Sequence, residues 1–252
     1  MKAHIDQLVI ETTKRCNMYC EHCLRGNAEN MDMSAKYLDE LLSRTDWIGT
    51  VVFSGGEPSL AVPVMQKFYE LSEQYECIPD SFYIVTNGKE NQKKLAHFCL
   101  DAFAESCEKE TCGLSVSRDR FHEETDGSIF DGLNFLTADK DLRAYEKKYP
   151  EWMIREGRAA DNGMGREPDA YDGFSCELIP HWEWKPDKDP EMNISIELLY
   201  LSCNGYLYSD CNLSYDHMDE MTAETGIPCV PVCGNSKENW TELILKHPYK
   251  KQ

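Results

Sequence analysis

No stretch of this 252-residue chain stays apolar for the ~20 residues that a membrane-crossing helix needs, and no internal repeat or low-complexity tract is present. The start, Met1-Lys2-Ala3-His4-Ile5-Asp6, runs into strand-like sequence without the apolar segment of a secretory leader, so a soluble cytoplasmic protein is expected. Positive charge is scarce as well. Only 26 Lys and Arg face 45 Asp and Glu, for a net charge of −19. A broad phosphate-binding surface needs clustered basic residues, so nucleic-acid partners are disfavoured. The acidic excess reads first as a solubilising surface.

Cysteine, by contrast, is plentiful, with twelve in the chain. Disulfide scaffolds are usually much shorter, secreted domains. The thiols are therefore expected to divide between metal or cluster ligation and buried, reduced side chains.

The first half alternates strand-like runs with amphipathic helices. Leu8-Val9-Ile10 reads as a first strand, Thr50 to Phe53 as a second, Phe82 to Val85 as a third and Leu114 to Ser117 as a fourth. Between them, Ser34 caps a helix carrying Leu38, Leu41 and Leu42. Pro63 opens another, with Val64, Phe68, Leu71 and Tyr75 on one face. A third runs from about Asn91 to Ser106 with Leu95, Phe98, Cys99, Ala102 and Phe103 in a stripe. A helix over residues 138–149 and a short strand Trp152-Met153-Ile154 follow. Residues 161–190, rich in Gly, Pro and aromatics, read as an irregular connection. Asn193 to Tyr200 is a strand, and Asn204-Gly205 signals a hairpin into Tyr206-Leu207-Tyr208. Repeated strand–helix units favour a parallel sheet covered by helices, open or curled into a partial barrel.

The segment that carries chemistry is Cys16-Asn17-Met18-Tyr19-Cys20-Glu21-His22-Cys23, directly after the first strand. Thiolates suit iron–sulfur clusters or zinc. Three thiols leave one of four metal positions open, to be filled by a distant cysteine, by the imidazole of His22 on zinc, or by a substrate or cofactor.

The spacing Cys-x3-Cys-x2-Cys after the first strand, followed by Gly55-Gly56-Glu57-Pro58 after the second, resembles the radical S-adenosylmethionine (SAM) superfamily over about residues 5 to 160. The resemblance implies an α/β fold, a partial (β/α)6 TIM-like barrel over residues 1–200, with a small cysteine-bearing extension over 201–252. It implies that Cys16, Cys20 and Cys23 hold a [4Fe–4S] cluster whose fourth iron is left for SAM. It places Tyr19 and His22 near the cofactor, His22 standing where relatives usually carry an aromatic. Gly55 and Gly56 would permit close backbone approach, and backbone oxygens with Glu57 would accept from the methionine ammonium. Asn87, in Thr86-Asn87-Gly88, faces the cavity or makes a simple turn. Ser115, Ser117 and Asp119 resemble a segment placed near ribose and carboxylate, or else cap a following helix. Arg158, in Gly157-Arg158-Ala159, resembles an arginine that binds the SAM carboxylate, or is a surface residue. The implied reaction is reductive cleavage of SAM, fed by a flavodoxin- or ferredoxin-like electron donor, with hydrogen abstraction from a peptide or small metabolite.

Cys203, Cys211, Cys229 and Cys233 weakly resemble extensions that hold an auxiliary cluster in peptide-modifying relatives, so a second Fe–S cluster or zinc stands beside the alternative of reduced structural thiols. His181-Trp182-Glu183-Trp184 lines the cavity or packs as a loop, and His97 and His122 read as structural or surface residues. Two other functions remain open: an activating enzyme for a glycyl-radical partner, and a non-catalytic zinc or Fe–S interaction module.

Overall fold

Parallel strands dominate the computed structural model, which describes residues 1–133, 135–136, 153–169, 173–180, 192–223, 229–234 and 237–248. The strands are β1 (Ala3–Glu11), β2 (Thr45–Ser54), β3 (Ser81–Thr86), β4 (Gly113–Val116), β5 (Cys176–Pro180), β6 (Met192–Leu201), β7 (Tyr206–Tyr208) and β8 (Val230–Pro231). They form one eight-stranded sheet in the order β4-β3-β2-β1-β6-β7-β8, with β5 alongside β6. From β4 through β6 along this path every neighbour is parallel; β5, β7 and β8 are antiparallel additions.

The sheet is not closed among the described residues: it is a parallel-rich mixed sheet, covered by helices as expected. The sequence alone leaves the place of β6 open. It lies beside β1, pairing Ala3 with Ile194 and Ile10 with Leu201, so β1 is a central strand with a partner on each edge. A continuous apolar run such as Leu8-Val9-Ile10 suits that position. The Trp152–Ile154 strand shrinks to an isolated bridge between Ile154 and Arg166, with Trp152 outside the described residues. The expected helix over 138–149 and the run His181 to Trp184 also lie outside them. Strand β5 occupies part of what reads in the sequence as an irregular connection.

Helices α1 (Ala35–Leu42), α2 (Val62–Gln74) and α3 (Gln92–Glu105) cover the first four strands. Ser34 caps α1 through the Lys36 N–H, and Leu38, Leu41 and Leu42 are buried. A 3-10 turn, Pro58–Ala61, precedes α2. The buried face of α2 runs through Val62, Met65, Phe68, Tyr69 and Ser72, so Val64 and Tyr75 lie at its margin instead of its centre. Phe53 of β2 meets Phe68 and Phe98 edge-on at 5.4 and 5.7 Å. Burying such a ring stabilises by roughly 2–3 kcal/mol. This layer fixes the carboxyl ends of β1, β2, β3 and β4 side by side, the edge of an open α/β sheet where ligands bind. Short helices α4 (Gly157–Asp161), α5 (Tyr215–Ala223) and α6 (Trp240–Ile244) belong to the later chain. Strands β7 and β8 continue the same sheet beyond β6. No helix among the described residues is long and apolar enough to cross a membrane.

Candidate functional site

The cysteine segment leaves the carboxyl end of β1 and is fastened where it closes. Thr13 and Asp32 form an antiparallel bridge. Thr13 Oγ1 donates to Asp32 Oδ1 at 2.6 Å, and Arg15 grips the same carboxylate with paired bonds of 2.8 and 2.9 Å. Such a fork is the strong form of a charge-assisted hydrogen bond. Lys14 is buried, reaches Glu29 at 2.9 Å and lies 4.5 Å above the Tyr215 ring. Within this closed loop Cys16, Cys20 and Cys23 are half-buried free thiols. Burial pushes the Cys16 thiol up against an opposing hydrogen bond from the Met18 backbone, and neighbouring Glu57, Cys23 and Cys20 push it further. The three sulfurs do not all lie within 4.8 Å of one another.

The loop after β2 lies flat on the cysteine loop. The Gly56 N–H donates to the Thr13 carbonyl at 2.7 Å and the Glu57 N–H to that of Arg15 at 2.8 Å. A Cβ on Gly56 would collide with the Arg15 carbonyl oxygen, and one on Gly55, whose φ is +136°, with that of Thr13. The close approach expected of these glycines is therefore, first, to the cysteine loop itself. Glu57 is buried, and its carboxylate accepts from Thr86 Oγ1 at 2.6 Å, Ser59 N at 2.9 Å and Asn87 N at 2.7 Å. It ties the end of β2 to the end of β3, a duty that the motif alone does not suggest. Pro58 begins the 3-10 turn.

Asn87 joins three loops. Its side chain donates to Asn17 Oδ1 at 2.8 Å and accepts from Lys89 N at 2.9 Å, while its carbonyl accepts from Thr125 Oγ1 at 3.1 Å. At the end of β4, Ser115 is buried, and Ser117 continues the pairing by donating its N–H to Thr86 at 2.8 Å. Asp119 caps a turn instead of a helix, accepting from the N–H groups of Phe121 and His122 at 2.8 and 3.1 Å. Both its oxygens lie 2.9 Å from His122 Nδ1. Burial raises the Asp119 carboxyl, but His122 and the Phe121 N–H outweigh it and hold it below the usual carboxylate range. Burial likewise opposes charge on His122, yet hydrogen bonds with Asp119 and Cys20 push it up to about 10.

His22 packs 4.9 Å from the Phe121 ring and edge-on to His122 at 4.7 Å. Burial and the His122 charge bring it down to about 4. Ligand atoms of His22, Asp119 and His122 all lie within 4.8 Å of one another. A cavity of about 200 Å³ opens beside them, lined by Ser117, Asp119, His122 and the acidic Glu123, Glu124 and Asp126. Nothing in the sequence singles out His122 beyond its spacing from Asp119, three residues before it.

Arg158 is buried and spent on the cysteine loop. Its Nε donates to the Cys20 carbonyl at 2.9 Å, its Nη1 to that of Gly26 at 2.5 Å, and its guanidinium lies 4.0 Å from the ring of the exposed Tyr19. Its backbone N–H donates to the Cys23 carbonyl at 3.0 Å. A Cβ on Gly157 would stand 2.5 Å from Gly26 N and from the Leu24 oxygen. In this structure the arginine braces the loop from outside.

A buried polar cluster fastens the loop to the later chain, with no motif to announce it. Glu11 accepts from the Tyr200 hydroxyl and from Cys203 N, both at 2.8 Å. Arg25 donates to the Leu213 carbonyl at 2.5 Å and lies 4.8 Å from the Tyr200 ring, while Tyr215 N donates to Arg25 O. The Cys203 thiol donates to the Glu11 carbonyl at 3.1 Å and that of Cys229 to the Met221 carbonyl at 3.7 Å. Cys211 is half-buried and Cys233 exposed. Among the described residues these four make no tight ligand group.

No family model matches the chain. A stretch of 94 residues, 35% of this chain, is 31% identical to an uncharacterised protein of Methanocaldococcus jannaschii. That stretch spans 32% of the curated relative's length. Among solved structures the chain is similar to a histidine-tagged anSMEcpe with bound AdoMet, at 20% identity and a TM-score of 0.36, over 46% of this chain and 32% of that one. It is also similar to Streptococcus suis SuiB bound to the precursor peptide SuiA, at 11% identity and a TM-score of 0.40, over 98% of this chain and 65% of that one. The chain thus spans less than two thirds of each of these proteins, and at such scores a likeness says nothing of chemistry.

Proposed function

We propose that the chain is a radical SAM enzyme. The observation that carries this reading is the cysteine loop at the carboxyl end of the central strand, overlaid by the bare backbone of Gly55 and Gly56. Cys16, Cys20 and Cys23 would hold a [4Fe–4S] cluster, and the residues present fit that group. The donor set is three thiols on eight residues, and the buried Nδ2 of Asn17, the residue after Cys16, has no acceptor among the described residues. Binding of a metal would remove the thiol protons that burial favours. When bound, the cluster and SAM supply one-electron cleavage to methionine and a 5′-deoxyadenosyl radical, which takes a hydrogen atom from substrate.

The chain's own residues position and enclose. Arg158, Gly157 and Arg15 fix the loop, and Glu57 sets the spacing between the ends of β2 and β3. Backbone oxygens of the Gly55–Pro58 segment are offered to the SAM ammonium, and Ser117 and Asp119 to its hydroxyls. The acidic cavity beside Asp119 is the proposed approach for substrate, a peptide or small metabolite. A flavodoxin- or ferredoxin-like protein would deliver the electron, in a reducing cytoplasm.

A second reading has one observation in its favour. His22, Asp119 and His122, with Cys20 hydrogen-bonded to His122, have the ligand types of a single divalent ion. In that case the chain is a zinc-binding interaction module. Anaerobic reconstitution separates the two: about four irons with matching sulfide per chain and 5′-deoxyadenosine from dithionite and SAM support the enzyme. One zinc per chain and no deoxyadenosine would favour the module. SAM cleavage retained by Cys20→Ala would overturn the first reading.

A further inference from the structure

We infer that the side-chain amide of Asn17 is a hydrogen-bond donor to the bound cofactor assembly, an inference that rests on the radical SAM reading. The orientation of this amide follows from its neighbours. Lys89 N is a main-chain donor and lies 2.9 Å from the Asn87 side chain, so the oxygen of Asn87 must face it. The Asn87 nitrogen then faces Asn17 at 2.8 Å, and only an oxygen of Asn17 can accept it. Lys89 Nζ holds the Asn17 carbonyl at 3.1 Å, so the residue is clamped through both of its oxygens. Its Nδ2 is left out of solvent with no acceptor among the described residues, on the residue that follows Cys16 in the chain.

A buried donor without a partner is costly, by an amount comparable to a lost hydrogen bond, and native proteins rarely keep one. The clamp nevertheless prevents the amide from turning to exchange oxygen for nitrogen. An anionic acceptor that arrives with the cofactor accounts for the arrangement. Two sources share that chemistry, a sulfur of the cluster or its cysteines and the carboxylate of SAM. A donor to sulfur stabilises the reduced, more negative cluster and raises its reduction potential.

The test compares Asn17→Leu with Asn87→Leu in the anaerobically reconstituted enzyme. Both substitutions break the Asn17–Asn87 bond, but only the first removes Nδ2. Two quantities are read: the reduction potential of the SAM-free cluster, and SAM affinity from the change in its paramagnetic spectrum on titration. If a sulfur is the acceptor, Asn17→Leu shifts the potential to more negative values, by more than Asn87→Leu does. If the carboxylate is the acceptor, the potential holds and SAM affinity falls about tenfold in Asn17→Leu, more than in Asn87→Leu. Either result supports the donor role. Equal effects of the two substitutions, or none, overturn it. Asn17→Ala provides the same readings if the leucine variant does not load iron. Failure of the unsubstituted protein to assemble a cluster is a separate result, which removes the underlying reading itself.

Discussion

Two groups of cysteines occupy the two ends of this chain, and their surroundings differ in kind. Cys16, Cys20 and Cys23 ride on a loop whose backbone carbonyls are held by Gly56, Glu57 and Arg158, while the thiols stay half-buried and unspent on main-chain carbonyls. Cys203 and Cys229 do the reverse, giving their thiols to the carbonyls of Glu11 and Met221. The protein thus places its rigidity around one set of sulfurs and lets the other set supply it. A count of cysteines could not tell ligands from fasteners. Placement of the neighbouring hydrogen bonds marks Cys203 and Cys229 as fasteners and leaves Cys16, Cys20 and Cys23 as the proposed ligands.

The sharpest way to break this contrast is by substitution at both ends. Cys20→Ala is expected to take bound iron from about four per chain to near zero and deoxyadenosine below detection. Cys203→Ala and Cys229→Ala should keep the iron, as a metal analysis of the three would reveal. Next in size is Arg25→Met, which strips the positive charge from beside the buried Glu11 carboxylate. An uncompensated buried charge costs about 3–5 kcal/mol, to be read as a lower urea midpoint. Gly56→Ala forces a methyl against the Arg15 carbonyl and is expected to cost about 1–3 kcal/mol and to lower iron loading in parallel. The smallest effect belongs to the extension. Cys229→Ser should cost ~1 kcal/mol or less, because the thiol is only half-buried and its bond to the Met221 carbonyl is long and weak, at 3.7 Å.

Much of the first layer was readable, because local pattern and tertiary position agree there. Ser34 with Leu38, Leu41 and Leu42 behaves as its spacing suggests, and so does the stripe from Leu95 to Ala102. The parallel partner of β1 was hidden, since nothing in residues 193–200 says which edge they will join. Strand β5 was missed because Gly, Pro and aromatic residues surround Cys176–Pro180 and mask a short edge strand. In the site, the cysteines and the Gly-Gly pair stood out as motifs. Glu11, Arg25 and His122 did not, for a charged residue beside an apolar run looks like any exposed one until its partner arrives from elsewhere in the chain.

The pairing of β1 with β6 also governs when the molecule can be completed. Ala3 needs Thr45 on one side and Ile194 on the other, so a ribosome must deliver more than three quarters of the chain before the first strand loses its free edge. Contacts so distant along the chain form slowly and leave strand edges exposed meanwhile. The thiols hung from that strand are drawn into their final setting late, after Gly157 and Tyr215 have been made. On the proposed reading, iron offered to the nascent protein meets a cysteine loop that is not yet braced, and loading belongs after synthesis.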